Sequence, residues 1–187
     1  MEQLLIYDNT ILNFIQEFFR SPLLDKIMPV ITCLGNFGFI WIAVTILALI
    51  SKRYRKLGFT LALTLILCAI IGNLWLKPFV ERLRPFEANH FTELLITAPK
   101  DFSFPSGHSV NAVAFYGALL VLAFFYLRRR WLKTLVMLAL AAEIVLLPIS
   151  RVYLGVHYPS DVTAGLLLGL LVMLTATTVV LQPQKLK

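Results

Sequence analysis

Charge is scarce in this chain. Asp, Glu, Lys and Arg make up only 14% of its 187 residues and 59% are hydrophobic, whereas soluble domains carry about 25% charge. That shortage excludes an ordinary water-soluble globule, and the wealth of aliphatic and aromatic residues excludes a disordered chain. Cysteine is rarer still. Cys33 and Cys68 both sit inside apolar stretches, away from any metal-ligand spacing, so both are expected as buried thiols. The N-terminus lacks the basic start and small-residue cleavage site of a signal peptide.

Long apolar runs take the place of what is missing. Five of them, at 33–51, 57–76, 110–127, 132–149 and 162–181, approach the length of about 17–25 residues that a membrane-crossing helix needs. They are continuous rather than alternating, which argues against strands. The pattern predicts an all-α, polytopic transmembrane helical bundle of about five spans, one domain over 1–187, with 77–105 as an outer loop. Residues 1–31 read differently. Ile11, Phe14, Ile15, Phe18 and Phe19 recur at helical spacing beside Glu17 and Arg20, and Pro22 restarts the chain. This predicts an amphipathic helix in the membrane interface followed by a second short one. A sixth span over 4–20 is the alternative.

Charge placement orients the bundle. Ten of the 17 basic residues fall in three short segments without acids: Lys52, Arg53, Arg55 and Lys56; Arg128, Arg129, Arg130 and Lys133; and Lys185 with Lys187. Such segregation is the positive-inside signal, and it makes these clusters topology determinants rather than a nucleic-acid surface. The N-terminus and the 77–105 and 150–161 loops are then expected outside, and the C-terminus in the cytoplasm.

The outer side gathers nearly all the reactive groups. KPFVERLRP at 77–85, PSGH at 105–108 and SRVYLGVHYPSD at 150–161 supply Lys77, Arg84, Arg151, His108, His157 and Asp161 at span ends. Three cations beside two imidazoles suit a dense anion, with phosphate the natural candidate. Ser106 is a good N-cap, and Pro159 with Ser160 opens the last span, so two helix N-termini point at the same region. Gly107 would let the backbone come close to the anion. His157 and Asp161, four apart, can share a face. Asp161 would hold one ring nitrogen while the other attacks phosphorus, and His108 would protonate the leaving oxygen. No metal or other cofactor is required, because the cations neutralise the developing charge and a two-metal site would need more carboxylates.

These three stretches resemble the signature of the type-2 phosphatidic acid phosphatase superfamily of membrane lipid phosphatases. That pattern is Lys, six residues, Arg-Pro; then Pro-Ser-Gly-His; then Ser-Arg, five residues, His, three residues, Asp, and every fixed position is filled here. The resemblance implies a phosphohistidine on His157, held by Asp161, with His108 as general acid. It further implies phosphate binding by Lys77, Arg84, Arg151, Ser106 and Gly107. Many relatives have six spans, and this shorter form is similar to bacterial undecaprenyl pyrophosphate and phosphatidylglycerophosphate phosphatases. The expected partners are therefore the bilayer and a lipid phosphate or pyrophosphate, with undecaprenyl pyrophosphate first. Phosphatidylglycerophosphate or phosphatidic acid is the alternative, and a non-catalytic lipid-phosphate transporter a distant one.

Residues outside the pattern receive plainer expectations. Arg82 and Glu81 read as solvated loop residues or a local pair, and His90 as surface. Ser150 is expected as a hydrogen-bonding support, while Tyr153 and Tyr158 are candidate pocket walls. Glu143 lies seven residues before Ser150, about two turns into the membrane, where an ionisable group is expensive. It is left open between a buried structural partner and a substrate-side role.

Overall fold

The structure, a computed structural model, describes residues 2–36, 38–88 and 94–181. His90, Lys185 and Lys187 lie outside those residues. Among the described residues there are helices and loops and no strand.

Helix α1 spans Glu2–Phe18, α2 Pro22–Leu34 and α3 Gly38–Ile50. Helix α4 runs through Arg55–Leu67, a π-helical stretch Cys68–Leu76 and a last turn Lys77–Val80. A single turn, α5, follows at Pro85–Ala88. Helix α6 covers Gly107–Tyr126, α7 Arg130–Tyr153 and α8 Pro159–Leu181. Among the described residues, five helical stretches are long and apolar enough to cross a membrane: Pro22–Ile50, Arg55–Ala88, Gly107–Tyr126, Arg130–Tyr153 and Pro159–Val180. The first differs from expectation, since α2, assigned above to the interface, counts together with α3 as one apolar stretch, Pro22–Ile50. Asp25 and Lys26 mask its apolar character in the sequence.

Local chemistry sets several of these boundaries. Ser21 Oγ accepts from the Leu24 backbone N–H at 3.3 Å and Pro22 occupies the first turn, the usual pairing at a helix start. Ser106 caps α6 in the same way, as its spacing predicts. Consecutive helices run back and forth, so the basic links 51–54 and 127–129 share the end opposite the reactive loops. The rings of Tyr54 and Tyr126 meet there at 5.7 Å.

Helix α1 lies against the ends of α7 and α8. Leu12, fully buried, packs with Val152, Tyr158 and Val162, while Leu4, Ile6, Phe14 and Phe18 remain exposed on the other faces. Large side chains such as Ile46, Ile70, Leu138 and Leu171 are exposed along the long helices, an outer surface suited to lipid rather than water. The chain is an integral membrane protein.

The approach of α6 to α8 places the reactive ends. A Cβ on Gly165 would meet Ser106 O at 2.8 Å and Ser109 Cβ at 2.9 Å, and one on Gly169 would meet Val110 O at 2.5 Å. Only glycine lets the two backbones come so close, the small-residue contact common between membrane helices. Cys68 is buried beside Val110, Ala114 and Val172. Cys33 is instead only partly buried and lines the cavity described next, contrary to the expectation of two buried thiols.

Candidate active site

A cavity of about 710 Å³ opens at the end of the bundle where α2, α4, α6, α7 and the 94–101 segment converge. Lys77, Arg84, Gly107, His108, Arg151 and His157 all line it, so six of the eight residues singled out from the sequence share one wall. The other two stand behind that wall. Asp161 is fully buried under His157. Ser106 is also fully buried, and its Oγ accepts from Ser109 Oγ at 2.9 Å and from the Ser109 N–H. Its hydroxyl therefore caps α6 instead of facing the cavity. Gly107 does line the cavity, and a Cβ added there would lie 3.8 Å from Lys77 Nζ.

The three cations are buried to different ends. Arg84 is 2% exposed and held on all sides. Its Nε donates to Asp101 O at 2.7 Å, Nη1 to Val156 O at 2.8 Å, and Nη2 to Asp101 Oδ1 at 2.6 Å. Lys77 donates to the other oxygen of the same carboxylate, Asp101 Oδ2. Arg151 donates from Nη1 to Thr32 Oγ1 at 2.6 Å, but its Nε is buried with no partner among the described residues. A buried donor left unpaired is costly and marks a place for an acceptor.

Hydrogen bonding fixes the tautomer of His157. Arg84 Nη1 lies 3.1 Å from His157 Nε2, and a guanidinium can only donate, so Nε2 is the bare nitrogen. The proton is then on Nδ1, which faces Ser103 Oγ at 3.4 Å and Asp161 Oδ2 at 3.7 Å. Ser103 Oγ donates its hydroxyl hydrogen bond to Asp161 Oδ2 at 2.5 Å, leaving a lone pair for Nδ1–H. Burial pushes the imidazole down to about 3, with Arg84 and Arg151 adding to that and Asp161 opposing it. The ring is neutral at physiological pH. His108 Nε2 lies 2.9 Å from Asn36 Oδ1 of the α2–α3 turn, which orients the second imidazole.

Several participants had no role in the sequence reading. Asp101 places a second carboxylate in the cluster, bridging Lys77 and Arg84, which hold it down at about 2 against its own desolvation. Ser103 supports Asp161, and Asn36 supports His108. Arg82 is not a solvated loop residue: it donates to Asp161 Oδ1 at 2.6 Å and to Asp8 Oδ2 at 2.7 Å, and its guanidinium lies 4.1 Å from the Tyr158 ring centre. Glu81, exposed at the end of α4, fits its expectation. The tyrosines do not wall the cavity: Tyr158 packs under Arg82, and Tyr153 donates to Asp25 Oδ1 at 2.7 Å. Ser150 is the expected support, donating to Leu147 O at 2.6 Å. Glu143 Oε2 is buried without a partner among the described residues, in the middle of α7 and away from the cavity lining.

Residues 53–185 match the family model described as the PAP2 superfamily. The chain is similar to an undecaprenyl-diphosphatase of Sulfolobus acidocaldarius, 40% identical over 138 residues, which cover 73% of this chain and 62% of that protein. It is also similar to phosphatidylglycerophosphatase B of Bacillus subtilis, 37% identical over 157 residues, or 81% of this chain and 73% of that one. A crystal structure of a transmembrane PAP2 type phosphatidylglycerolphosphate phosphatase from Bacillus subtilis superposes with a TM-score of 0.76 at 28% identity, covering all of this chain and 90% of that chain. The matched segment spans α4 to α8 and holds all eight residues singled out from the sequence, so the chain belongs to the PAP2 superfamily.

Proposed function

We propose that this chain is a lipid phosphatase that hydrolyses a phosphate or pyrophosphate headgroup at the outer membrane face, with undecaprenyl pyrophosphate as its substrate. One observation carries the proposal: the neutral His157 turns its bare Nε2 toward a cavity lined by three cations. A neutral imidazole is the nucleophilic form, and its Nε2 lone pair is released when Arg84 Nη1 turns its hydrogen bond to a phosphate oxygen. Lys77, Arg84 and Arg151 hold the phosphate, and the orphaned Arg151 Nε takes one of its oxygens. The Gly107 end of α6 adds backbone N–H donors.

In the first step Nε2 of His157 forms a bond to phosphorus and the bond from phosphorus to the leaving oxygen breaks. His108 gives its proton to that oxygen, so the product leaves as a neutral hydroxyl or as a protonated phosphate end. Asp161, through Nδ1–H, stabilises the positive charge that the ring acquires. In the second step His108 takes a proton from water, the water oxygen attacks phosphorus, and the phosphorus–nitrogen bond breaks to return His157. The cationic side chains offset the charge that builds on the equatorial oxygens, so the steps draw on no metal.

Substrate choice rests on likeness and placement. The relative that is 40% identical is named for undecaprenyl diphosphate, and an outward-facing site suits recycling of a carrier lipid. Apolar walls from Pro29, Cys33, Leu94 and Leu95 at the cavity would receive the start of the tail while the rest stays in the bilayer. The structural neighbour that covers the whole chain favours phosphatidylglycerophosphate as a second reading. Purified protein given each lipid in separate micelles, with EDTA present, should release phosphate fastest from undecaprenyl pyrophosphate. Faster release from phosphatidylglycerophosphate would install the second reading, and loss of release in EDTA would overturn the metal-free chemistry. His157→Ala should show no release, whereas a transporter would keep moving lipid.

A further inference from the structure

Asp8 belongs to α1, outside the residues matched by the family model, yet it is only 1% exposed and sits three contacts from the reactive histidine. Its Oδ1 accepts from the Ser160 backbone N–H at 2.9 Å, at the start of α8. Its Oδ2 accepts from Arg82 Nη2 at 2.7 Å and from the Ser160 hydroxyl. Arg82 in turn donates from Nη1 to Asp161 Oδ1 at 2.6 Å and to Ser160 Oγ at 2.7 Å. The other oxygen of Asp161 faces His157. One continuous line therefore runs from an N-terminal interfacial helix to the imidazole: Asp8, Arg82, Asp161, His157.

Charge along this line decides what Asp8 does. Arg82 beside Asp161 alone would form a neutral pair, and a neutral pair gives little support to a ring that becomes positive when it takes up phosphorus. Adding Asp8 restores one net negative charge to the buried group while leaving Asp161 tied in place. Among side chains this buried, an uncompensated guanidinium would act on the ring with little screening. We propose that Asp8 is a positioning residue of the hydrolysis, holding Arg82 and offsetting its charge so that Asp161 retains a full negative charge toward His157. This role rests on His157 being the nucleophile.

The docking of α1 does not depend on Asp8 alone, which makes the idea testable. Leu12 is buried against Val152, Tyr158 and Val162, and Gln16 Nε2 donates to Tyr153 O at 2.7 Å. Steady-state hydrolysis should be measured for the full chain carrying Asp8→Asn, Asp8→Glu, Leu12→Ala, His157→Ala, and Asp8→Asn combined with Arg82→Gln. Asp8→Asn should lower kcat by about tenfold or more and leave KM within about twofold, because the charge acts on the reacting ring and not on the phosphate cradle. Asp8→Glu, which keeps the charge, should retain at least about a third of kcat. Adding Arg82→Gln to Asp8→Asn should cause no further fall, since it leaves Asp161 with its net negative charge toward the ring.

A wild-type kcat in Asp8→Asn beside an inactive His157→Ala would overturn the proposal and leave the nucleophile intact. So would equal falls in Asp8→Asn and Leu12→Ala, which would reduce Asp8 to an anchor. Should Asp8→Asn fail to fold, a kcat for Asp8→Glu as low as that of Leu12→Ala would overturn it equally. Phosphate release by His157→Ala would instead remove the reading beneath it.

Discussion

The backbone N–H of Ser106 donates to the carbonyl oxygen of Asp161 at 3.1 Å. Two motifs far apart in sequence are thus joined at the level of their backbones, and the N-termini of α6 and α8 are locked side by side. That bond exists because Gly165 and Gly169 let the two helices touch.

Gly165→Ala should break this arrangement. The new Cβ would need to occupy space 2.8 Å from Ser106 O, and backbone cannot swing aside as a side-chain tip can. Thermal stability in detergent and phosphate release should both fall, the latter by about tenfold or more from displacement of the reacting groups. Gly72→Ala, whose Cβ meets nothing within 4 Å, should be stable and active. Equal behaviour of the two variants would show that the close approach does not matter.

Asp101 bridges Lys77 and Arg84 much as two phosphate oxygens would. It therefore competes with substrate for the cradle, and Asp101→Asn, which removes two partly exposed ion pairs, should strengthen competitive inhibition by inorganic phosphate by about threefold or more. The backbone carbonyl of Asp101 still holds Arg84 Nε in this variant. Weaker inhibition by phosphate would mean that the carboxylate builds the cradle instead of filling it.

Stability should depend on pH through His157. Its imidazole lies at about 3 in the folded protein against 6.5 as an ordinary histidine, so between those values the unfolded chain takes up a proton that the folded chain refuses. Stability is then fully present above about pH 6.5 and is lost as pH falls toward 3. Melting temperatures of the wild type and of His157→Gln, measured from pH 7 to 4, should diverge in slope, with the variant flatter. Parallel curves would show that the ring titrates freely.

Cys33 offers a direct test of sidedness, because its side chain lines the cavity. A membrane-impermeant thiol reagent added to intact cells should modify it and stop phosphate release, and inorganic phosphate should slow the modification. Cys68, buried between helices, should not react. Modification only after the cells are opened would place the cavity on the cytoplasmic side.

Glu143 lies outside the cavity, and its buried Oε2 finds no partner among the described residues. Glu143→Gln should keep hydrolysis within about tenfold of wild type, below the loss typical of a lost proton-transfer group. Near-complete loss in a folded variant would assign it a substrate-side role.

How much of this was legible in advance follows physical lines. Helix starts at Ser106 and Pro159 could be read because capping is local, and His157 and Asp161 could be paired because four residues is one helical turn. Lys77, Arg84 and Arg151 could be grouped because each sits at a span end on the same side. Arg82 was misread because nothing near it in sequence distinguishes it from a loop cation; its partner Asp8 is 74 residues away. Asp8 received no role from the sequence, because its contact with Ser160 crosses 152 residues. The fate of Ser106 turned on which way one hydroxyl points, a matter of a single buried rotamer.

The bundle itself, the count of crossing helices and the gathering of cations and imidazoles at one end are written in the chain, because burial of apolar runs in lipid and the placement of basic loops are summed residue by residue. The pairing of buried charges is not written there. Which carboxylate meets which guanidinium depends on how closely α1, α6 and α8 approach, and that distance is set by packing at Leu12, Gly165 and Gly169 together, so only the folded protein decides it.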